Sequence, residues 1–119
     1  MQENNTELTV STEVLEKMAE LAACEIDGVA GVSKRAVDLK DAIKNKSAFK
    51  GVKVENINGA VYINVYLKVV KNVNVHAVAE AVQQNVKDRI QTMTGTAVTK
   101  VNVTVADIDL PKETQNVQN

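Results

Sequence analysis

The chain has 119 residues, with 14 Lys and Arg against 15 Asp and Glu, one His, one Cys and no Trp. That length supports one core, and a net charge of −1 creates no global field for nucleic acid or anionic lipid. No apolar stretch approaches a membrane span. Met1 to Glu7 is polar and acidic, unlike a secretory leader, and the lone Cys24 excludes an internal disulfide and suits a reducing compartment. A cytoplasmic protein is expected, without direct membrane insertion.

Residues 1–7 read as a flexible N-terminus, and residues 8–108 as a single domain. Leu8 to Val10 reads as a short strand. Ser11 is placed to cap a helix, with Glu13 in its first turn, where the dipole favours an acid. Val14, Leu15, Met18, Leu21, Ala22 and Ile26 recur at helical spacing, and the helix should end by Gly28. Ser33 to Ala48 admits a short helix or a long loop. It is the one basic stretch, with Lys34, Arg35, Lys40, Lys44 and Lys46 against Asp38 and Asp41.

The strongest signal follows. Asn58-Gly59 is a two-residue hairpin turn, because a type I′ turn needs positive φ at both central residues. Counting back from it pairs Ile57 with Ala60, Val54 with Ile63 and Val52 with Val65. Val52, Val54, Val61, Ile63, Val65, Leu67 and Val69 then share one face, and Lys53, Glu55, Tyr62, Asn64, Tyr66 and Lys68 the other. Asn74 is placed to cap a second helix with an apolar stripe of Val75, Val78, Ala79, Val82, Val86, Ile90 and Met93, ended by Gly95. A last strand carries Val101, Val103 and Val105 on one side and Lys100, Asn102 and Thr104 on the other. Residues 109–119, with Pro111, read as a flexible tail. The order β-α-(α)-β-β-α-β predicts an α+β two-layer sandwich, a mixed four-stranded sheet with two long helices on one face.

Chemistry is harder to find. One His and one Cys, on different helices, do not supply a metal site, and no cofactor motif is present. His76, in the first turn of its helix, reads as a solvated surface residue, and Cys24 as a small buried hydrophobe. Asp107 and Asp109 lie beside the tail, without an apolar pocket to raise a pKa. Two features survive. Gly28-Val29-Ala30-Gly31, followed by Lys34 and Arg35, matches the GxxG turn between helices with which KH domains clamp a nucleic-acid backbone. Its middle residues are apolar, which also fits a helix cap followed by a core valine. The second is the polar hairpin face. Tyr62 and Tyr66 point outward there with Lys53 and Lys68, as partner anchors or as amphipathic cover for the sheet.

The residues also carry a family pattern. Ser11 leading into an Ala-rich helix, Ile26-Asp27-Gly28-Val29-Ala30-Gly31, Gly51-Val52-Lys53-Val54, the Asn58-Gly59 turn and Tyr62-Ile63-Asn64-Val65-Tyr66 belong to it. So do Val82-Gln83-Gln84-Asn85-Val86-Lys87, Met93-Thr94-Gly95 and Val98 through Val103-Thr104-Val105. Together, over Thr9 to Ala106, the chain resembles the bacterial alkaline-shock-protein (general stress protein) family. It departs from the pattern at Lys71-Asn72-Val73-Asn74, where Gly or Pro is frequent, and in the basic character of Ser33 to Ala48.

The resemblance implies a small cytoplasmic protein of mainly Gram-positive bacteria, tied to alkaline or cell-envelope stress. In some members a dedicated anchoring partner holds the protein at the membrane. It implies no enzymatic activity, catalytic residue or cofactor. The expected function is non-enzymatic: a homo-oligomer docking partners through Lys53, Tyr62, Tyr66 and Lys68, with a membrane-anchoring protein as one such partner. The alternative is a KH-like RNA-binding module using Gly28, Gly31, Lys34 and Arg35.

Overall fold

The computed structural model describes residues 9–34 and 51–110. Its elements are α1 (Thr12–Cys24), β1 (Val29–Val32), β2 (Val52–Ile57), β3 (Ala60–Val70), α2 (Val75–Thr94) and β4 (Lys100–Asp109). Asn58 and Gly59 take φ of 52° and 87°, the two positive angles that let a tight turn match the strand twist. Asn56 Oδ1 accepts from the Gly59 N–H at 3.0 Å and closes the turn. The turn sets the β2–β3 register as expected, with Ile57 opposite Ala60, Val54 opposite Ile63 and Val52 opposite Val65.

β3 is the central strand. β2 and β1 lie end to end, both antiparallel to it. Tyr66 is the junction: its N–H donates to the Gly51 carbonyl at 2.9 Å, and its own carbonyl accepts from the Ser33 N–H at 2.6 Å. β4 runs parallel to β3 on the other side, from Tyr62 opposite Lys100 to Val70 opposite Asp109. The sheet is therefore mixed. Its apolar face holds Val52, Val54, Val61, Ile63, Val65, Leu67 and Val69, none more than 8% exposed. Leu15, Ala19, Ala22 and Ala23 of α1 and Val78, Val82, Val86 and Ile90 of α2 complete that core.

The caps fall where the side-chain chemistry puts them. Ser11 Oγ accepts from the Val14 N–H at 3.2 Å, and Asn74 Oδ1 from the Ala77 N–H at 3.1 Å. Gly95 ends α2 at φ 74°. In the β3–α2 link the left-handed position is taken by Asn72, at φ 68°, the side chain that tolerates it best after glycine.

The expected class holds: an α+β sandwich with a mixed four-stranded sheet and two long helices on one face. One strand comes from a different stretch of chain. Thr9 and Val10 lie in no strand, and Leu8 is outside the described residues. The place is taken by Val29–Val32, which pairs with Leu67 to Val69 beyond the end of β2. Those β3 residues would otherwise leave backbone groups unpaired on that side.

The helix stripes are also narrower than their spacing suggests. Val14 and Leu21 of α1 and Val75 and Met93 of α2 are 42–66% exposed. Ala19, Ala22 and Ala23 bring α1 close to the sheet, and a small contact surface hides only the residues directly beneath it. Of the Ser33 to Ala48 stretch, Ser33 and Lys34 are described and not helical, and the remainder lies outside the described residues, as do residues 1–7 and 111–119.

Candidate functional site

Hairpin alternation and the β4 register together build the sheet's second face as a grid. Glu55, Tyr62 and Lys100 form one row across β2, β3 and β4. Lys53, Asn64 and Asn102 form the next, joined by Asn102 Nδ2 donating to Asn64 Oδ1 at 3.1 Å. Tyr66 lies beside Thr104, and Lys68 lies between Gly31 and Asp107. Lys53 Nζ reaches Glu55 at 3.7 Å, with both side chains about half exposed (50% and 44%). Such a pair adds little stability.

Tyr62, Asn64, Tyr66 and Lys68 are half-buried, neither sealed inside nor fully solvated. A tyrosine held this way offers a large apolar ring and a hydroxyl at small entropic cost, because its backbone is already fixed in a central strand. All four expected docking residues, Lys53, Tyr62, Tyr66 and Lys68, thus share one face. Lys100, Asn102 and Thr104 join them. Their side of β4 was legible from alternation, but their position beside the tyrosines depends on strand pairing.

At one end of this face is an open depression of about 410 Å³, with Gly31, Ser33, Lys34, Lys68 and Asp107 in its lining. Ser33 is the one buried polar residue of the described core, at 1% exposure.

The GxxG stretch is not a turn between helices. α1 ends at Cys24, Gly28 sits in the turn that follows at φ 99°, and Gly31 lies within β1 opposite Lys68. The Gly28 carbonyl accepts from the Val70 N–H at 2.9 Å, so this backbone serves the sheet. Glycine at position 28 answers to packing, since a Cβ there would stand 2.8 Å from Val78 Cγ2. A KH clamp presents its GxxG as a loop to the nucleic-acid backbone, and Gly28 and Gly31 do not form that loop. Lys34 is exposed beside the depression, and Arg35 lies outside the described residues.

Cys24 is exposed, contrary to the expectation of burial. Ala23, fully buried, takes the inward position, and the next residue is turned 100° away. Partial shielding, and then the Glu20 carboxylate, push its thiol above the ordinary pKa, opposite to the shift that activates a nucleophilic cysteine. His76 is solvated as expected and faces Glu80 at 3.2 Å. Among the described residues no three His, Cys, Asp or Glu side chains gather to hold a metal, and no helix is long and apolar enough to cross a membrane.

The described residues form a small α+β module with both helices on one sheet face and polar side chains on the other. Residues 1–110 match the alkaline shock protein 23 family, described as having a cell envelope-related function. The chain is 31% identical over 110 residues to YqhY of Bacillus subtilis (strain 168), covering 92% of this chain and 82% of that protein. It is similar in structure to the nickel form of a MamM CTD variant, with a TM-score of 0.56 at 18% identity, over 82% of this chain and 99% of that one. A second MamM CTD variant gives a TM-score of 0.52 at 12% identity, over 84% and 100%. At such identities the structural likeness concerns the fold alone. The chain belongs to the alkaline shock protein family, whose function is related to the cell envelope.

Proposed function

We propose that this chain is a non-enzymatic docking module of cell-envelope homeostasis, acting in the cytoplasm by self-association and by binding a protein partner through the polar sheet face. Tyr62 and Tyr66 are the anchors, and Lys53 and Lys68 set the charge around them. A membrane-anchoring protein is the partner that would bring the module to the envelope. The observation that carries this reading is the unequal use of the sheet: both helices cover one face, and two half-buried tyrosines on the central strand remain on the other. Aromatic anchors fixed on a rigid strand are the usual centre of a protein interface.

The test is capture of crosslinked partners from native cells with the wild-type chain and with Tyr62→Ser/Tyr66→Ser. The double variant should retain its circular dichroism spectrum and lose the captured partner. An unchanged set of partners would overturn the assignment of this face.

A further inference from the structure

We infer that two copies of this chain pair through β4, antiparallel, around a two-fold axis at Thr104. This interface deepens the self-association proposed above and rests on that reading.

The sheet's outer edges are treated differently. On the β2 side, the Glu16 carboxylate accepts from the Val54 N–H at 3.4 Å, and β1 is four residues long with a bulge. Side chains on an edge and short, bulged strands both discourage sheet addition. β4 is ten residues long and pairs only with β3 among the described residues.

The direction of its backbone follows from β3. Tyr66 bonds toward β1 and β2, so the odd-numbered residues of β3 face β4. With Ile63 opposite Val101, a parallel ladder then turns the backbone of Lys100, Asn102 and Thr104 toward β3 and that of Val101, Val103 and Val105 outward. Consistently, the Val101 carbonyl accepts from Gln83 Nε2 at 3.1 Å. At the other end the Ile108 N–H donates to Asp107 Oδ1 at 2.9 Å. Among the described residues the edge is capped at both ends and pairs with no strand between them.

The side chains make this strand complementary to itself. Ala106 is the extra residue where the register shifts. With it skipped, an antiparallel copy centred on Thr104 places Val103 opposite Val105 and Val101 opposite Ile108 on the core face. On the polar face Lys100 meets Asp109, and Thr104 meets Thr104. Apolar residues meet apolar ones, and the basic start of the strand meets its acidic end; parallel stacking would set like charges together. The core face also has uncovered surface to bury there. Val103 and Val105 are only half-buried, and Ile108 is 51% exposed. A two-fold interface of this kind closes on itself, and it joins the two tyrosine faces into one surface.

The experiment uses the full chain. In sedimentation equilibrium the wild type should form a dimer. Lys100→Glu and Asp109→Lys should each weaken it about tenfold, since two symmetric pairs become repulsive, and the double reversal should restore it. In a Cys24→Ser background, Thr104→Cys should oxidise to a disulfide dimer, because a non-hydrogen-bonded antiparallel pair brings its Cα atoms within disulfide range. A control Lys53→Cys should not. A wild type that stays monomeric at all concentrations would overturn both this interface and the self-association behind it. An oligomer indifferent to the charge reversals, with no Thr104 crosslink, would overturn the β4 interface alone.

Discussion

The two faces of the sheet are built from the same strands with opposite results. On the helix side, Ile63 and Leu67 have no exposed surface, and the inward-facing valines of β2 and β3 have at most 8%. One residue along, Tyr62, Tyr66 and Lys68 are half-buried. The first face holds the fold, because its apolar surface leaves water only in this arrangement. The second contributes little that another polar strand former would not, which is why the proposed docking role is placed there.

Substitutions along β3 should separate the two roles. Leu67→Ala leaves a cavity in the core between sheet and helices and should cost about 3 kcal/mol of unfolding free energy in urea titration. A loss below about 1 kcal/mol would mean that the helices do not seal this face. Gly51→Ala tests the junction at Tyr66. The position has φ 85°, and an added Cβ would meet Val32 Cγ2 at 2.8 Å and the Ser33 carbonyl oxygen at 2.9 Å. It should destabilise by about 2 kcal/mol.

Asn74→Ala removes the cap that starts the covering helix α2 and should cost about 1 kcal/mol, read as a lower melting temperature. On the polar face, Tyr62→Ser and Tyr66→Ser should each cost no more than about 1 kcal/mol while abolishing partner capture. A large stability loss there would erase the contrast between the faces. The smallest effect is at Cys24. Its raised pKa keeps the thiol protonated at neutral pH, so maleimide should react more slowly than with an unperturbed exposed cysteine, and faster as the pH rises. A rate above that of a free thiol would reverse the direction assigned to the shift.

The hairpin and the Gly28–Ser33 stretch show how far local signals reach. In the hairpin, turn chemistry and alternation concern residues adjacent in sequence, and they agree. Register, faces and the grouping of Lys53, Tyr62, Tyr66 and Lys68 are therefore legible in the residues themselves. In Gly28-Val29-Ala30-Gly31 the local signs suggest a turn. The segment becomes a strand because Leu67 to Val69, more than 30 residues away, need partners on that side. Helix exposure was illegible for a similar reason. Spacing marks a stripe but not its width, and the alanines of α1 set how much of Val14 and Leu21 is covered.

Sequence alone determined the class of fold, the caps at Ser11 and Asn74, the hairpin register and which side of each strand is apolar. All of these follow from side-chain chemistry within a few residues. Tertiary structure alone decided that β1 follows the first helix, that Lys100, Asn102 and Thr104 stand beside the tyrosines, and that β4 pairs only with β3 among the described residues. Each depends on which distant backbone groups find each other, and that is settled by the balance of burial and hydrogen bonding across the whole sheet.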